Sequence, residues 1–183
     1  IIDIAELYQP AGTVTLLDER ATEDAFRREV SGASIVHFAG HAIVEAYAPE
    51  RSRLLLAPSG LEAERDGALT IAELRSSLTL RPGQVVVLAA CRTAGALEDR
   101  RFGVGHLASE FRRAGAASVI ATVDDIPDQT GPLYIALHRE LAAGVAPPLA
   151  LQRAQLDRLS TAHAPIESWA LVLYYGNPIP EAK

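Results

Sequence analysis

The chain has 183 residues, enough for one α/β domain with a sizeable core and too few for two. Hydrophobic residues make up 49% of it and charged residues 22%, as in ordinary globular proteins. The formal net charge is −6 and no segment concentrates Lys and Arg, which argues against nucleic acid as a direct partner.

The apolar runs are too short to cross a bilayer, so no membrane partner is expected. A single cysteine excludes a disulfide framework, and without a Cys-x-x-Cys pair a structural zinc site is not expected. A reducing, cytoplasmic location is the expectation that follows. Because the chain begins with Ile and contains no Met, we expect it to be a piece of a longer polypeptide.

In chain order, short aliphatic or β-branched runs alternate with segments of helical character. Strands are predicted at residues 13–17, 34–39, 53–57, 85–90, 117–123 and 169–175. Thr22 suits a helix N-cap, and Thr70 opens a Thr-x-x-Glu capping box. Further helices are predicted at residues 105–114, 128–141 and 148–159, and loops at 45–53, 59–67 and 92–101. The alternation predicts one α/β domain over residues 1–183, with helices on both faces of a mostly parallel sheet of about six strands.

Two reactive side chains follow the ends of predicted strands. His41 comes two residues after the run 34–39, and Cys91 comes directly after the run 85–90. The carboxyl ends of neighbouring parallel strands share one rim, where ligands bind. An imidazole beside a thiol can take its proton to form the nucleophilic thiolate and can later protonate a leaving amine. The spacing alone leaves two interpretations open: a catalytic pair, or a small buried thiol and a hydrogen-bonded loop histidine.

Two sequence blocks around these residues resemble the signature blocks of the CHAT family. They read IVHFAGH at residues 35–41 and VLAACRT at residues 87–93, and the His-to-Cys separation of 50 also fits the caspase-like pattern. Further similar blocks are GVGHL at 103–107, AGAASVIA at 114–121, ALQRAQ at 150–155 and WALVLYYG at 169–176. Members of this family are peptidases related to caspases and separases, and they are often fused to tetratricopeptide repeats.

The resemblance implies a caspase-like sandwich and a cysteine endopeptidase that needs no cofactor. His41 would be the general base and Cys91 the nucleophile, and the backbone N–H groups of Ala42 and Cys91 would bind the oxyanion. His37 would have a structural role. The resemblance also implies a protein or peptide substrate, control by attached domains or by a sensing partner, and a first core strand upstream of residue 1.

The sequence departs from the family pattern at three places. The residue after the catalytic His is usually Gly and here is Ala42, which would be strained by about 1 kcal/mol if that position required a positive φ. The residue after the nucleophile is usually acidic and here is Arg92, whose charge would favour a thiolate. The Trp that usually follows the fifth strand is absent from the sequence TVDD at 122–125.

Asp124, Asp125 and Asp128 follow a predicted strand end, on the same predicted rim as His41 and Cys91. Asp124 and Asp125 could form an acidic S1 pocket for a basic side chain. They could equally be acids that favour the N-terminus of the next helix, which is the interpretation we prefer for Asp128.

Two other functions are alternatives. A caspase-like fold could serve as an inactive interaction module. GVGHLA at residues 103–108 fits the dinucleotide fingerprint G-x-G-x-x-A, with Asp124 about 20 residues further on. However, twelve residues separate these glycines from the preceding strand, so the tight pyrophosphate turn is not expected. The remaining histidines, His106, His138 and His163, are predicted to have surface or capping roles rather than to bind metal.

Overall fold

The computed structural model describes residues 1–8, 12–45, 47–60, 65–94, 107–161 and 164–176. Its strands are β1 (Ile35–Ala39), β2 (Ala42–Ile43), β3 (Arg53–Leu55), β4 (Ala68–Thr70), β5 (Val85–Ala89), β6 (Ser118–Thr122) and β7 (Val172–Gly176). Its α-helices are α1 (Ile2–Glu6), α2 (Glu23–Val30), α3 (Ile71–Ser77), α4 (Leu107–Arg113), α5 (Gly131–Ala142) and α6 (Pro147–Ser160). Short 3-10 helices cover Asp18–Arg20, Pro49–Arg51, Asp128–Thr130 and Ile166–Ser168.

The central sheet has the strand order β1-β5-β6-β7. β1, β5 and β6 are parallel, and β7 pairs antiparallel with β6. Strands β2, β3 and β4 form a separate antiparallel sheet. The predicted α/β class and mostly parallel sheet are confirmed, but the central sheet has four described strands rather than about six.

The difference in strand number has two physical causes. Residues 13–17 pair with no described strand, and Val14 is 61% exposed, so that run lacks both a hydrogen-bonding partner and a face to bury. Leu54 in β3 is buried while its neighbour Leu55 is exposed. This alternation is typical of a strand in a small antiparallel sheet with one covered face, not of a central parallel strand.

The central sheet separates two apolar layers, because successive residues of a strand point to opposite faces. Val86 and Leu88 of β5 pack with α2, α3 and α4 on one face. Val85 and Val87 pack with α1, α5 and α6 on the other face. Both layers are buried, which explains why the β5 sequence is apolar at consecutive positions.

Local sequence explains where several helices begin and end. The Thr22 hydroxyl accepts a hydrogen bond from the Ala25 N–H at 3.2 Å, which caps α2. The predicted capping box is confirmed at α3: Thr70 Oγ1 accepts from the Glu73 N–H and the Glu73 carboxylate accepts from the Thr70 N–H. α4 is followed by Gly115 at φ 119°, where a Cβ would lie 2.9 Å from a backbone oxygen of Leu80.

Candidate active site

The register of β1 and β5 places the two predicted catalytic residues at equivalent positions. The pairs run from Ile35 with Val85 to Ala39 with Ala89, so each residue of β1 lies beside the residue numbered 50 higher. The Gly40 N–H extends the ladder by donating to the Ala89 carbonyl at 3.4 Å. His41 and Cys91 each come two residues after the last pair of this ladder, Ala39 with Ala89. Each follows the carboxyl end of its strand.

The thiol and the imidazole are accessible but not hydrogen-bonded to each other. His41 is exposed and Cys91 is partly exposed. No hydrogen bond joins these two side chains in the described part of the chain, nor does either form an ion pair there. Catalytic hydrogen bonds are often long or absent in a free enzyme and tighten only when substrate binds.

After His41 the chain enters the second sheet. The His41 carbonyl accepts a hydrogen bond from the Leu55 N–H at 2.9 Å, and Ala42 lies opposite Leu54 in the β2–β3 ladder. Hydrogen-bonded and non-hydrogen-bonded pairs alternate along an antiparallel ladder, so the Ala42 N–H points away from β3. Among described non-glycine residues, only Asp18 and Arg92 have positive φ. Ala42 is therefore free of the strain considered from the sequence.

Cys91 lies in a turn that is hydrogen-bonded to the end of β6 through two buried threonines. Thr93 Oγ1 lies 3.3 Å from Thr122 Oγ1 and accepts from the Thr122 N–H at 3.1 Å. The Thr122 hydroxyl donates to the Ala90 carbonyl, and the Ala94 N–H donates to the Thr122 carbonyl at 2.7 Å. The Cys91 N–H makes no hydrogen bond with any described residue, which leaves this donor free.

Arg92 turns its charge toward the two predicted S1 carboxylates. Its Nε lies 3.3 Å from Asp124 Oδ1, and its terminal nitrogen lies 3.1 Å from Asp125 Oδ2. Its backbone has φ 54°, and its N–H donates to the Asp124 carbonyl at 3.2 Å. The positive charge of Arg92, which was predicted to favour a Cys91 thiolate, is therefore paired with two carboxylates. Asp128 begins a 3-10 helix, and its side chain lies outside the description.

On the α5 side of the sheet, a hydrogen-bonded chain links two histidines and a tyrosine. His37 Nδ1 lies 2.9 Å from His138 Nε2, and His138 Nδ1 lies 2.7 Å from the Tyr8 hydroxyl of the segment after α1. The surface or capping role predicted for His138 is wrong, because this residue is 1% exposed. Burial and the neighbouring imidazole lower the pKa of His37 to about 3. Burial lowers the pKa of His138 to about 4.

Tyr134 lies one turn before His138 on α5. Its ring packs edge-on against His37, with the ring centroids 5.4 Å apart. It is 4% exposed, and its buried hydroxyl has no hydrogen-bond partner among the described residues. Burial raises the pKa of Tyr134, and the charge of a Cys91 thiolate raises it further.

Other features of the described residues do not point to a different site. A shallow concavity of about 490 Å³ lies between α2, β4 and α3 and is lined by Asp24, Arg27, Asp66 and Glu73, among others, but by none of the predicted site residues. No described group of His, Cys, Asp and Glu is arranged to hold a metal ion. Gly103 and Gly105 of the dinucleotide fingerprint, together with His106 and His163, lie outside the described residues.

Sequence reasoning missed Thr93, Thr122 and Tyr134. Each threonine follows or ends a predicted buried strand, where a buried hydroxyl must find a hydrogen-bond partner, and that requirement is a usable signal. Tyr134 carries a weaker signal, because a tyrosine beside Leu133 on a helix is typical of ordinary core packing.

A comparison with known protein families gives one match. The family model for the CHAT domain matches residues 2–177. No curated protein matches the chain significantly.

Proposed function

The chain belongs to the CHAT domain family, which is related to caspase-like cysteine peptidases, and on that premise we propose that it is a cysteine endopeptidase with a His41–Cys91 dyad. The observation that supports the proposal is the β1–β5 register, because His41 and Cys91 each come two residues after its last pair, at the carboxyl ends of adjacent parallel strands. Both side chains are accessible there. No cofactor is required by this chemistry.

In the proposed reaction, His41 accepts the thiol proton of Cys91, and the sulfur attacks the carbonyl carbon of the scissile peptide bond. The backbone N–H groups of Ala42 and Cys91 stabilise the oxyanion of the tetrahedral intermediate. Two observations support this assignment: the Ala42 N–H points away from β3, and the Cys91 N–H has no hydrogen-bond partner among the described residues.

Collapse of this intermediate breaks the C–N bond. The imidazolium of His41 gives its proton to the leaving amine, and a thioester to Cys91 remains. His41 then takes a proton from water, and the resulting hydroxide equivalent attacks the thioester. The second intermediate releases the new carboxyl terminus and regenerates the thiol.

Asp124 and Asp125 are proposed to bind a basic P1 side chain. Their support is the contact with Arg92, because one guanidinium already reaches both carboxylates within 3.3 Å. All three side chains are about half exposed or more, and exposed ion pairs are worth only about 0–1 kcal/mol. A substrate Arg or Lys could therefore replace Arg92 at small cost.

The proposed setting is that of a regulated protease in the cytoplasm. No described helix is long and apolar enough to cross a membrane. The family membership suggests control by attached domains of the same polypeptide or by a sensing partner. The proposed substrate is a protein or peptide, and nucleic acid is not proposed as a direct partner.

Cleavage of a peptide library, with mass-spectrometric mapping of the products, tests the proposal. The wild-type chain is expected to cleave, and Cys91→Ala and His41→Ala are expected not to. Identical products from wild type and Cys91→Ala would refute it. The double variant Asp124→Asn, Asp125→Asn is expected to lose the preference for Arg or Lys at P1 while still cleaving. An unchanged P1 distribution would refute the S1 assignment alone.

An inactive interaction module is the second candidate. The observation in its favour is that no hydrogen bond joins His41 to Cys91 in the described structure. A peptide acyloxymethyl ketone or a similar active-site electrophile distinguishes the two functions. Rapid labelling of Cys91 that depends on His41 favours the peptidase, and no labelling of a folded chain favours the module.

A further inference from the structure

The guanidinium of Arg92 contacts both carboxylates that are proposed to bind a basic P1 side chain. Its Nε lies 3.3 Å from Asp124 Oδ1, and its terminal nitrogen lies 3.1 Å from Asp125 Oδ2. The Asp125 N–H also donates to Asp124 Oδ1 at 2.8 Å, which orients this carboxylate. A cation of the chain itself therefore takes the place that a substrate cation needs.

These ion pairs are not needed to hold the Cys91 turn in place. Buried hydrogen bonds between Thr93 and Thr122 already join the turn to β6. The Arg92 N–H donates to the Asp124 carbonyl at 3.2 Å, so the backbone of Arg92 is held without using its side chain. That side chain is 47% exposed. The guanidinium can therefore leave the carboxylates while the turn stays folded.

We propose that Arg92 is an internal competitor for the basic P1 side chain and so regulates access to this subsite. In the free chain its guanidinium pairs with Asp124 and Asp125, and a substrate Arg or Lys binds them only when the Arg92 side chain turns out to solvent. One cation replaces another in this exchange, and no covalent bond forms or breaks. A neutral P1 side chain leaves Arg92 in place. The inference rests on the proposed function, in which the two aspartates form S1.

The exposure of the three side chains limits how strongly Arg92 competes. An exposed ion pair is favoured over its separated partners by up to about fivefold, because water hydrates the separated ions well. At that limit the subsite is open in about one molecule in six, and the apparent affinity for an incoming cation is lowered by the same factor. Arg92 therefore raises the concentration of basic ligand that the subsite needs, without closing it.

Binding of butylguanidinium tests the proposal, because this cation has the head group of an Arg side chain and no bond that a peptidase cleaves. Arg92→Gln removes the internal cation and keeps most of the side-chain stem. This variant is expected to bind butylguanidinium about three- to sixfold more tightly than wild type. The gain is expected to disappear when Asp124→Asn and Asp125→Asn are added. Butylurea, the neutral isostere of the ligand, is expected to bind wild type and Arg92→Gln equally.

Arg153→Gln is the matched control, because it removes the same charge from an ion pair of similar exposure. The Arg153 side chain is 52% exposed and pairs with Glu140 at 2.7 Å, between α6 and α5. This variant is expected to bind butylguanidinium as wild type does. An equal gain in Arg153→Gln would overturn the proposal, since the effect would then come from net charge. Equal binding by wild type and Arg92→Gln would also overturn it, as would no binding by either chain.

The Nε–H resonance of Arg92 in a heteronuclear NMR spectrum reports displacement directly. It is identified by its absence from the spectrum of Arg92→Gln. Saturating butylguanidinium is expected to move it to its position in the double variant Asp124→Asn, Asp125→Asn, where the guanidinium has no carboxylate partner. Bound ligand with an unmoved resonance would show that the cation binds without displacing Arg92, and would overturn the proposal.

Arg92→Asn is used if Arg92→Gln does not fold, because Asn tolerates the positive φ of this position better than most residues. The same gain in affinity is expected, and no gain would overturn the proposal. Butylguanidinium binding requires no peptide hydrolysis. A gain in a chain that cleaves no peptide would therefore reject the peptidase and keep Arg92 as the competitor. Cleavage after basic residues without a gain would reject the role of Arg92 alone.

Discussion

Lowering the pH from 7.5 to 5.5 is expected to destabilise the chain through the hydrogen-bonded pair His37 and His138. The pKa values of about 3 and about 4 in the folded chain lie well below the ordinary value of 6.5. Below pH 6.5 these two histidines therefore bind protons in the unfolded chain but remain unprotonated in the folded chain. Folding stability is fully present above about pH 6.5 and is lost as the pH falls toward the folded-state values.

The size of the loss follows from this gap. Each histidine removes about 1.4 kcal/mol of stability per pH unit between its unfolded and folded pKa values. At pH 5.5 the pair has removed about 3 kcal/mol, compared with a total stability of about 5–15 kcal/mol for a typical domain. Ordinary carboxylates titrate near pH 4, below this interval. Burial raises the pKa of Glu23, which acts in the opposite direction, so the histidine variants below are needed to assign the loss.

Urea unfolding at several pH values, followed by circular dichroism, measures the effect. His37→Gln and His138→Gln should each reduce the pH-dependent loss by about half, whatever their effect on stability at pH 7.5. His41→Gln is the matched control, because His41 is exposed, and it should leave the loss unchanged. A wild-type loss below about 1 kcal/mol between pH 7.5 and 5.5 would refute the reasoning, as would an equal reduction in the control.

Two further predictions concern the backbone around the proposed dyad. Thr122→Val removes a buried hydroxyl that bonds Ala90 and Thr93, so we expect a loss of about 1–3 kcal/mol in urea unfolding and slower iodoacetamide labelling of Cys91. Thr22→Val, which removes the α2 cap, should cost about 1 kcal/mol without changing the labelling rate; equal labelling effects would contradict this assignment. Ala42→Gly should destabilise by about 0.5–1 kcal/mol, because the strand position needs no positive φ. A stabilised Ala42→Gly variant would show that the position is strained.

Local signals predicted the parts of the fold that depend on short stretches of sequence. The consecutive apolar residues of β5 indicated a strand covered on both faces, and both faces are covered. The Thr70 capping box formed as predicted because its hydrogen bonds span only three residues. The positions of His41 and Cys91 after strand ends could be predicted from the apolar runs that precede them. The alignment of the two strands could not, because β1 and β5 are far apart in the sequence.

The errors fall where long-range contacts decide the outcome. Residues 13–17 have strand-forming side chains but no paired partner among the described strands. His138 was predicted to have a surface or capping role, like the other histidines on predicted helices or loops. Its partners are 101 and 130 residues away, in His37 and Tyr8. Periodicity cannot supply such a contact, and only the packing of α5 on the sheet brings it about.

The two halves of the proposed dyad are held unequally, and this inequality indicates which half moves when substrate binds. Cys91 sits in a turn that buried threonine hydrogen bonds tie to β6. His41 is exposed and leads into the two-residue strand β2. Segments with few buried contacts open at low free-energy cost, whereas a buried hydrogen-bond network must be broken to move. The missing His41–Cys91 hydrogen bond is therefore expected to form by movement of the imidazole toward a fixed sulfur.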